Sequence, residues 1–290
     1  MKIDAKVQSI SKLKDYFFLV PDYQREYVWK PDDEVEQFLI DIENEYSPDA
    51  KEQRNYFLGS IIIANNDRCF DVVDGQQRLT TIMLSLCVFR DLLKKETLNS
   101  AQKNYLQIIE NLLYNFDIES GETRVRLELQ YEESHDYLTA LIQEQPYNGV
   151  RSPSIVRMQD AYTKILRHFQ LYAGIDELID FAKYCLTKIE LVVIESQDLS
   201  SALKIFETIN QRGAGLNAMD LVKNLLFKAT KLLDSKFYIG VNTALNRFKN
   251  DFQYNFTGWN KSSVEARQKI LLELVFDTWR INDLRLERVK

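Results

Sequence analysis

The sequence predicts an α+β protein, with a small mixed β-sheet containing a hairpin followed by a mainly α-helical region. Three observations carry this reading. Tyr56 to Ala64 and Cys69 to Val73 are short β-branched, apolar runs on either side of Asn65-Asn66-Asp67-Arg68, the pattern of a hairpin. From Leu79 onward Ile82, Met83, Leu86, Phe89 and Leu93 recur at three- and four-residue steps, so the period changes from strand to helix across Asp74-Gly75. Beyond Leu93 most apolar residues keep the helical step, and only five prolines and nine glycines punctuate 290 residues.

In chain order, Val7, Ile10, Leu13 and Phe17 predict a short helix over 7–17. Pro21 keeps its predecessor extended, and Tyr23, Arg25 and Tyr27 alternate through an extended segment that reaches Trp29. Aromatics and arginine interleaved this way suit stacking on a base or clamping a phosphate, or else an aromatic core strand with one surface arginine. Pro31 opens a helix whose acidic first turn, Asp32, Asp33 and Glu34, matches the N-terminal dipole and reads as a solvated helix start. Gly59-Ser60, inside the first hairpin strand, marks a bulge, a close approach to a ligand or a packing glycine.

After the hairpin and its helix, Ala101 to Phe116 reads as helix and Thr123 to Leu129 as a short alternating strand. His135 and His168 are lone histidines with no second ligand in register, and read as structural. Gln145 to Pro153 is the best internal boundary, dividing 1–145 from a mainly helical 146–290. Ser152-Pro153 then caps and opens a helix through Phe169. Glu177 to Leu186 is helical, and Leu191 to Glu195 is a second strand candidate. Asp198 or Ser200 caps a further helix that ends at Asn210-Gln211-Arg212-Gly213. Asn217 caps the next one, through Lys228. The aromatic-rich remainder carries no chemical signature.

Composition sets bounds. A net charge of −6 argues against a generally basic nucleic-acid coat, while a local basic surface stays open. Cys69, Cys87 and Cys185 are an odd number in apolar contexts, and read as reduced thiols of a cytoplasmic protein. No apolar run is long enough to span a bilayer, and the first residues lack the features of a secretion signal.

The best candidate site is the strand-to-helix turn at Asp74-Gly75. Asp74 near the N-cap and a conformationally free Gly75 open a helix whose first N–H groups and dipole favour an anion. Gln76, Gln77, Arg78, Thr80 and Thr81 add polar side chains at that end. No G-x-x-x-x-G-K-[ST] occurs, which excludes a P-loop cradle. The plain alternative is a solvated first turn. A second cluster lies downstream: Arg212 suits a bidentate phosphate contact beside Asn210, with Lys223 joining if the next helix folds back. The plain alternative there is a helix hairpin whose polar residues satisfy loop carbonyls.

Four motifs occur in order: VPDYQREYVW (Val20 to Trp29), YFLGSIII (Tyr56 to Ile63), DVVDGQQRLTTI (Asp71 to Ile82) and FETINQRGAGLNAMDLVKN (Phe206 to Asn224). Together they resemble the N-terminal domain of GmrSD-type, modification-dependent restriction enzymes, which is similar to the ParB/sulfiredoxin-like fold. The resemblance implies a domain that binds and hydrolyses a nucleoside triphosphate, GTP or ATP, with Mg²⁺. It places Asp74, Gln76, Gln77 and Arg78 in the catalytic element, and Gln24, Arg25, Gly75, Thr80, Thr81, Asn210, Arg212 and Lys223 around the nucleotide. No protein metal ligand set is assigned, beyond Asp74 reaching Mg²⁺ through its water shell. Implied partners are modified double-stranded DNA and a nuclease, either as a C-terminal domain or as a separate subunit. Relatives commonly carry a His-Asn-His nuclease. With two distant histidines, this chain is expected to hold none, and its charged end LRLERVK reads as a helix cut short. A non-hydrolysing reader of modified DNA, a nucleotide switch and a nuclease centred on the ParB-like region are the alternatives.

Overall fold

A computed structural model describes residues 3–22, 24–118, 121–130, 135–172 and 174–210. The chain divides into two compact units, 1–206 and 207–290, and nearly all described residues belong to the first. The boundary expected at 145–146 falls inside that first unit, in the connection between two of its helices.

The strands are β1 (Ile3–Ser9), β2 (Phe18–Val20), β3 (Tyr56–Asn66), β4 (Cys69–Asp74), β5 (Tyr114–Asp117), β6 (Glu122–Val125), β7 (Leu127–Leu129) and β8 (Ile189–Ser196). The α-helices are α1 (Glu36–Glu45), α2 (Gln76–Leu93), α3 (Ser100–Leu113), α4 (His135–Ile142), α5 (Pro153–Phe169), α6 (Ile175–Lys188) and α7 (Leu199–Asn210). A 3₁₀ turn covers Ile10–Asp15, and a wide π turn over Pro31–Val35 leads into α1. Six strands form one mixed sheet in the order β1-β8-β3-β4-β2-β7, while β5 and β6 form a separate ribbon.

The α+β class holds, and the sheet is larger than its hairpin. β8 comes from residues 189–196 yet lies between β1 and β3, antiparallel to the first and parallel to the second. The predicted helix over 7–17 is corrected. Val7 to Ser9 extend β1 because β8 supplies a ladder partner from Ile3 to Ser9, and only Ile10–Asp15 coil. The helix predicted to reach Phe116 stops at Leu113, where Tyr114 to Asp117 pair with Glu122 to Val125. The strand predicted over 123–129 is broken at Arg126 into β6 and β7, which serve different sheets.

One sheet face bears the core. Ile61 and Ile63 of β3, Val72 of β4 and Leu191 and Val193 of β8 join it, together with Leu79, Met83, Leu86 and Phe89 of α2. Nearly every α2 side chain is buried because α3, α5 and α6 surround it. The capping predictions at two helices hold. Ser152 Oγ accepts the Ile155 N–H at 3.3 Å, and Asp198 Oδ1 accepts the Ser201 N–H at 2.8 Å. Arg90, 1% exposed, donates to the carbonyls of Leu141 (3.0 Å) and Ile142 (2.5 Å), the last residues of α4. It thereby supplies partners to helix-end carbonyls that have none within the helix.

Cys87 and Cys185 are buried, Cys69 half-buried, and all three are free thiols. Burial pushes the Cys87 thiol up to about 12, the behaviour of a packing residue. No helix among the described residues is long and apolar enough to cross a membrane.

Candidate functional site

β2 and β4 are adjacent and parallel, so the segments leaving their carboxyl ends emerge side by side. One is the loop 21–30, and the other is the Asp74-Gly75 turn into α2. Crevices outside the carboxyl ends of strands are where open sheets that mix strands and helices receive ligands.

The turn is built by a left-handed glycine. Gly75 has φ +87° and is itself the N-cap of α2, and Asp74, the last residue of β4, directly precedes it, near the N-cap as expected. A Cβ on Gly75 would lie 2.5 Å from Ile61 Cγ2, so the close fit against β3 also requires glycine. The first intrahelical bond runs from Leu79 N–H to the Gly75 carbonyl at 3.0 Å. Residues 76–78 therefore form the turn whose amides have no intrahelical partner, with no side-chain cap on them from the N-cap residue.

Charge gathers here. The Asp74 carboxyl is pushed above its ordinary range, chiefly by burial, and the Gly75 N–H together with Arg78 and Arg25 oppose the shift. Two arginines far apart in sequence thus act on one carboxylate. Arg25 is exposed and makes no direct hydrogen bond or ion pair among the described residues, leaving its guanidinium available. Arg78 is half-buried and donates from Nη1 to the Ser60 carbonyl at 2.7 Å.

Gly59 explains how Arg78 fits. β3 shifts register against β8 between Phe57 and Gly59, and Gly59 adopts φ +126°. A Cβ there would sit 3.0 Å from Arg78 Cζ. Of the alternatives for Gly59-Ser60, the bulge is present, and what approaches the backbone closely is this guanidinium.

The two glutamines named with the site hold the loop. Gln24 Nε2 donates to the carbonyls of Val72 (3.3 Å) and Val73 (2.9 Å), beyond the point where β2 stops pairing with β4. Gln77 Oε1 accepts the Val28 N–H at 2.8 Å, and its Nε2 donates to the Glu26 carbonyl at 3.0 Å. Gln77 is 6% exposed, and both ends of its amide are engaged by main chain. That occupancy ties Gln77 to the loop 21–30. Gln76 is also 6% exposed.

Thr80 and Thr81, the next polar residues of the same helix, are both buried. Thr81 is fully buried, donates to the Gln77 carbonyl at 2.9 Å and pairs with the Tyr27 hydroxyl at 2.9 Å. Tyr27 and Ser154 are the residues that sequence reading missed as determinants of the site. Tyr27 N–H donates to Ser154 Oγ at 3.1 Å, pinning the loop to the first turn of α5. The alternation of Tyr23, Arg25 and Tyr27 was the available signal, since it sends Tyr27 inward with the same side that carries Arg25 only in an extended strand. The loop's turns break that rule and leave Arg25 exposed.

Asn210 is the last residue of α7. Its side chain, along with Tyr23, Arg212, Gly213, Asn217 and Lys223, lies outside the described residues, as does the side chain of His135. His168 Nε2 lies 3.4 Å from Glu43 Oε2, a contact between α5 and α1. Among the described residues no group of three His, Cys, Asp or Glu side chains gathers as a preformed metal site. The acidic turn at Asp32 faces α5 instead: Lys164 lies 3.1 Å from Asp32 and 3.2 Å from Glu36.

No match is found among the curated proteins. The family profile described as the GmrSD restriction endonuclease, N-terminal domain, matches residues 7–227, from within β1 to beyond α7, and includes every residue of the turn and the loop. The chain therefore belongs to the GmrSD restriction endonuclease N-terminal domain family.

Proposed function

We propose that this chain is a nucleoside-triphosphate-binding and hydrolysing module of a DNA-modification-dependent restriction system acting in phage defence. The observation that supports it most directly is that Arg25, on the loop 21–30, and Arg78, on the first turn of α2, both act electrostatically on Asp74 beside a helix amino end that has no side-chain cap. Main-chain N–H groups at 76–78 and two guanidiniums suit a polyphosphate, and neither needs a P-loop. Arg25 is the freer of the two and suits the charge that develops on the transferred phosphoryl group. Gln76 would orient the attacking water. Arg212, Asn210 and Lys223 remain proposed contributors.

The carboxylate chemistry fits Mg²⁺. This ion is held by one or two carboxylates together with phosphates and water, and needs no all-protein cage. Asp74 is a carboxyl destabilised by burial, so a cation at its water shell would favour the ionised form. Bound Mg²⁺ would supply neutralisation of phosphate charge. GTP and ATP are both compatible with a site read from phosphate-binding groups alone, and modified double-stranded DNA and a nuclease domain or subunit are the proposed partners.

The test is phosphate release from each nucleoside triphosphate, with and without modified DNA, for wild type, Arg25→Ala and Arg78→Ala. Arg25→Ala is the cleaner variant because Arg78 also bonds to Ser60. Hydrolysis reduced at least tenfold in both variants supports the assignment. A wild-type chain that neither binds nor turns over any triphosphate overturns it. Binding without turnover would establish the nucleotide-switch reading instead.

A further inference from the structure

We infer that β1 is a homotypic docking edge through which two copies of this chain join their sheets across a two-fold axis. Among the described residues β1 is the outermost strand on its side of the main sheet. It runs unbroken against β8 from Ile3 to Ser9, with no proline, glycine or register shift. The opposite edge, β7, is only three residues long. Natural sheets blunt their edges by shortening, bulging, covering or charging them; among the described residues β1 is neither short, bulged nor covered, and the charges it does carry, Asp4 and Lys6, are of opposite sign.

The side chains name the occupant. Residues 3–7 read Ile-Asp-Ala-Lys-Val. If two copies pair antiparallel about Ala5, Asp4 stands opposite the partner copy's Lys6, and Lys6 opposite its Asp4. Ile3 and Val7 then face one another across the same ladder. Ile3 is 44% exposed and Val7 61% exposed, and the pairing would give both apolar neighbours. A slip of one residue in either direction brings Lys6 against Lys6 or Asp4 against Asp4 when the axis moves onto them, so charge selects the register.

The charge arrangement within one copy is incomplete. Asp4 lies directly across the ladder from Glu195, a like-charge pair, and among the described residues its ion-pair partner is Lys6, at 2.5 Å on the same strand. A second copy would set another lysine against each Asp4 and produce a square of alternating charges. One seven-residue strand pair is a small interface, so the association is weak and reversible.

Sedimentation of the intact chain from micromolar to sub-millimolar loading tests this. Wild type should show a concentration-dependent monomer–dimer equilibrium. Lys6→Asp, which turns both attractive pairs repulsive, should raise the dimer Kd about tenfold or more. The charge-swapped Asp4→Lys/Lys6→Asp chain should return to within about threefold of wild type, because the swap restores complementarity only when a chain pairs with itself. In a Cys69→Ser background, Ala5→Cys should form an interchain disulfide under mild oxidation. Antiparallel partners place their Cα atoms about 4.5–5.5 Å apart, within disulfide reach. A wild type that stays monomeric throughout, or a dimer indifferent to Lys6→Asp, overturns the proposal. So does failure of the swap to restore association while far-ultraviolet circular dichroism remains that of wild type.

Discussion

Gln77→Leu separates a residue that places the loop from one that acts on substrate. The substitution keeps side-chain volume close to the original and removes both amide contacts. Val28 N–H loses its acceptor at 2.8 Å, and the Glu26 carbonyl loses its donor at 3.0 Å. A hydrogen bond contributes about 1 kcal/mol net, and a buried group left without a partner costs about 1–3 kcal/mol. Since Gln77 is 6% exposed while the loop groups are only part-buried, water recovers some of that loss, and a destabilisation of about 2–4 kcal/mol is expected. For a unit of this size it lowers Tm by roughly 5–15 °C in a thermal melt. Hydrogen exchange should localise the effect, with the Val28 amide losing protection well before the amides of β3. A variant that melts within about 1 °C of wild type, with Val28 still protected, would refute the clamp. It would leave Gln77 free to act in the proposed catalytic element.

Four further outcomes follow from the same contacts. Gly59→Ala meets Arg78 at 3.0 Å and must hold φ +126°, so it should cost about 1–3 kcal/mol in denaturant titration, and it should also reduce any triphosphate binding by displacing the guanidinium. Tyr27→Phe should cost about 1 kcal/mol, because Thr81 keeps its bond to the Gln77 carbonyl and loses only the phenol. Arg90→Met should cost about 3–5 kcal/mol, since it removes the side-chain donor to the Ile142 carbonyl, leaves the Leu141 carbonyl with only the Glu144 N–H at 3.3 Å, and takes from Asp91 its 2.8 Å partner. Asp74 carries a raised pKa, so the fold holds its proton more tightly than the unfolded chain does. Its contribution to stability is present below the usual carboxyl range and is lost as pH rises through the raised value. Asp74→Asn should flatten that part of the profile of Tm against pH.

Elements whose periodicity was set by burial on one side were legible in the sequence. The hairpin Tyr56 to Val73, the α2 stripe and the Ser152-Pro153 start of α5 all stand where their patterns placed them. Where the outcome depended on a distant partner, the pattern failed. Val7 looked helical because Ile10 and Leu13 follow it at helical steps, yet β8, almost two hundred residues later, supplies a ladder that extends the strand. The same holds for Tyr114 and Phe116, which continue the α3 stripe but pair with β6. At the candidate site the strand-to-helix turn at Asp74-Gly75 was legible, because a glycine between a β-branched run and a helical stripe marks where the period changes. The division of labour among the polar residues was not legible. Gln77 and Thr81 lie one helical turn apart on the buried side of α2, and which side is buried depends on where α5 and the loop 21–30 dock.

That division of labour also bears on how the site could act. The loop is tied down by Gln24, Gln77 and Tyr27 on both sides of Arg25, whereas Arg25 itself has no direct partner among the described residues. Rigid main chain around an unpaired guanidinium lowers the ordering cost of binding a phosphate, because only one side chain must still be fixed. The opposite arrangement, Arg25 ion-paired to Asp74 on a mobile loop, would require breaking that pair before any anion could bind. The measured consequence is a separation of effects. Arg25→Ala should weaken triphosphate binding while leaving Tm within about 1 °C, and Gln77→Leu should lower both together. If Arg25→Ala destabilised the fold as much as Gln77→Leu does, the arginine would be a structural member of the loop, and the preorganised-site argument would fail with it.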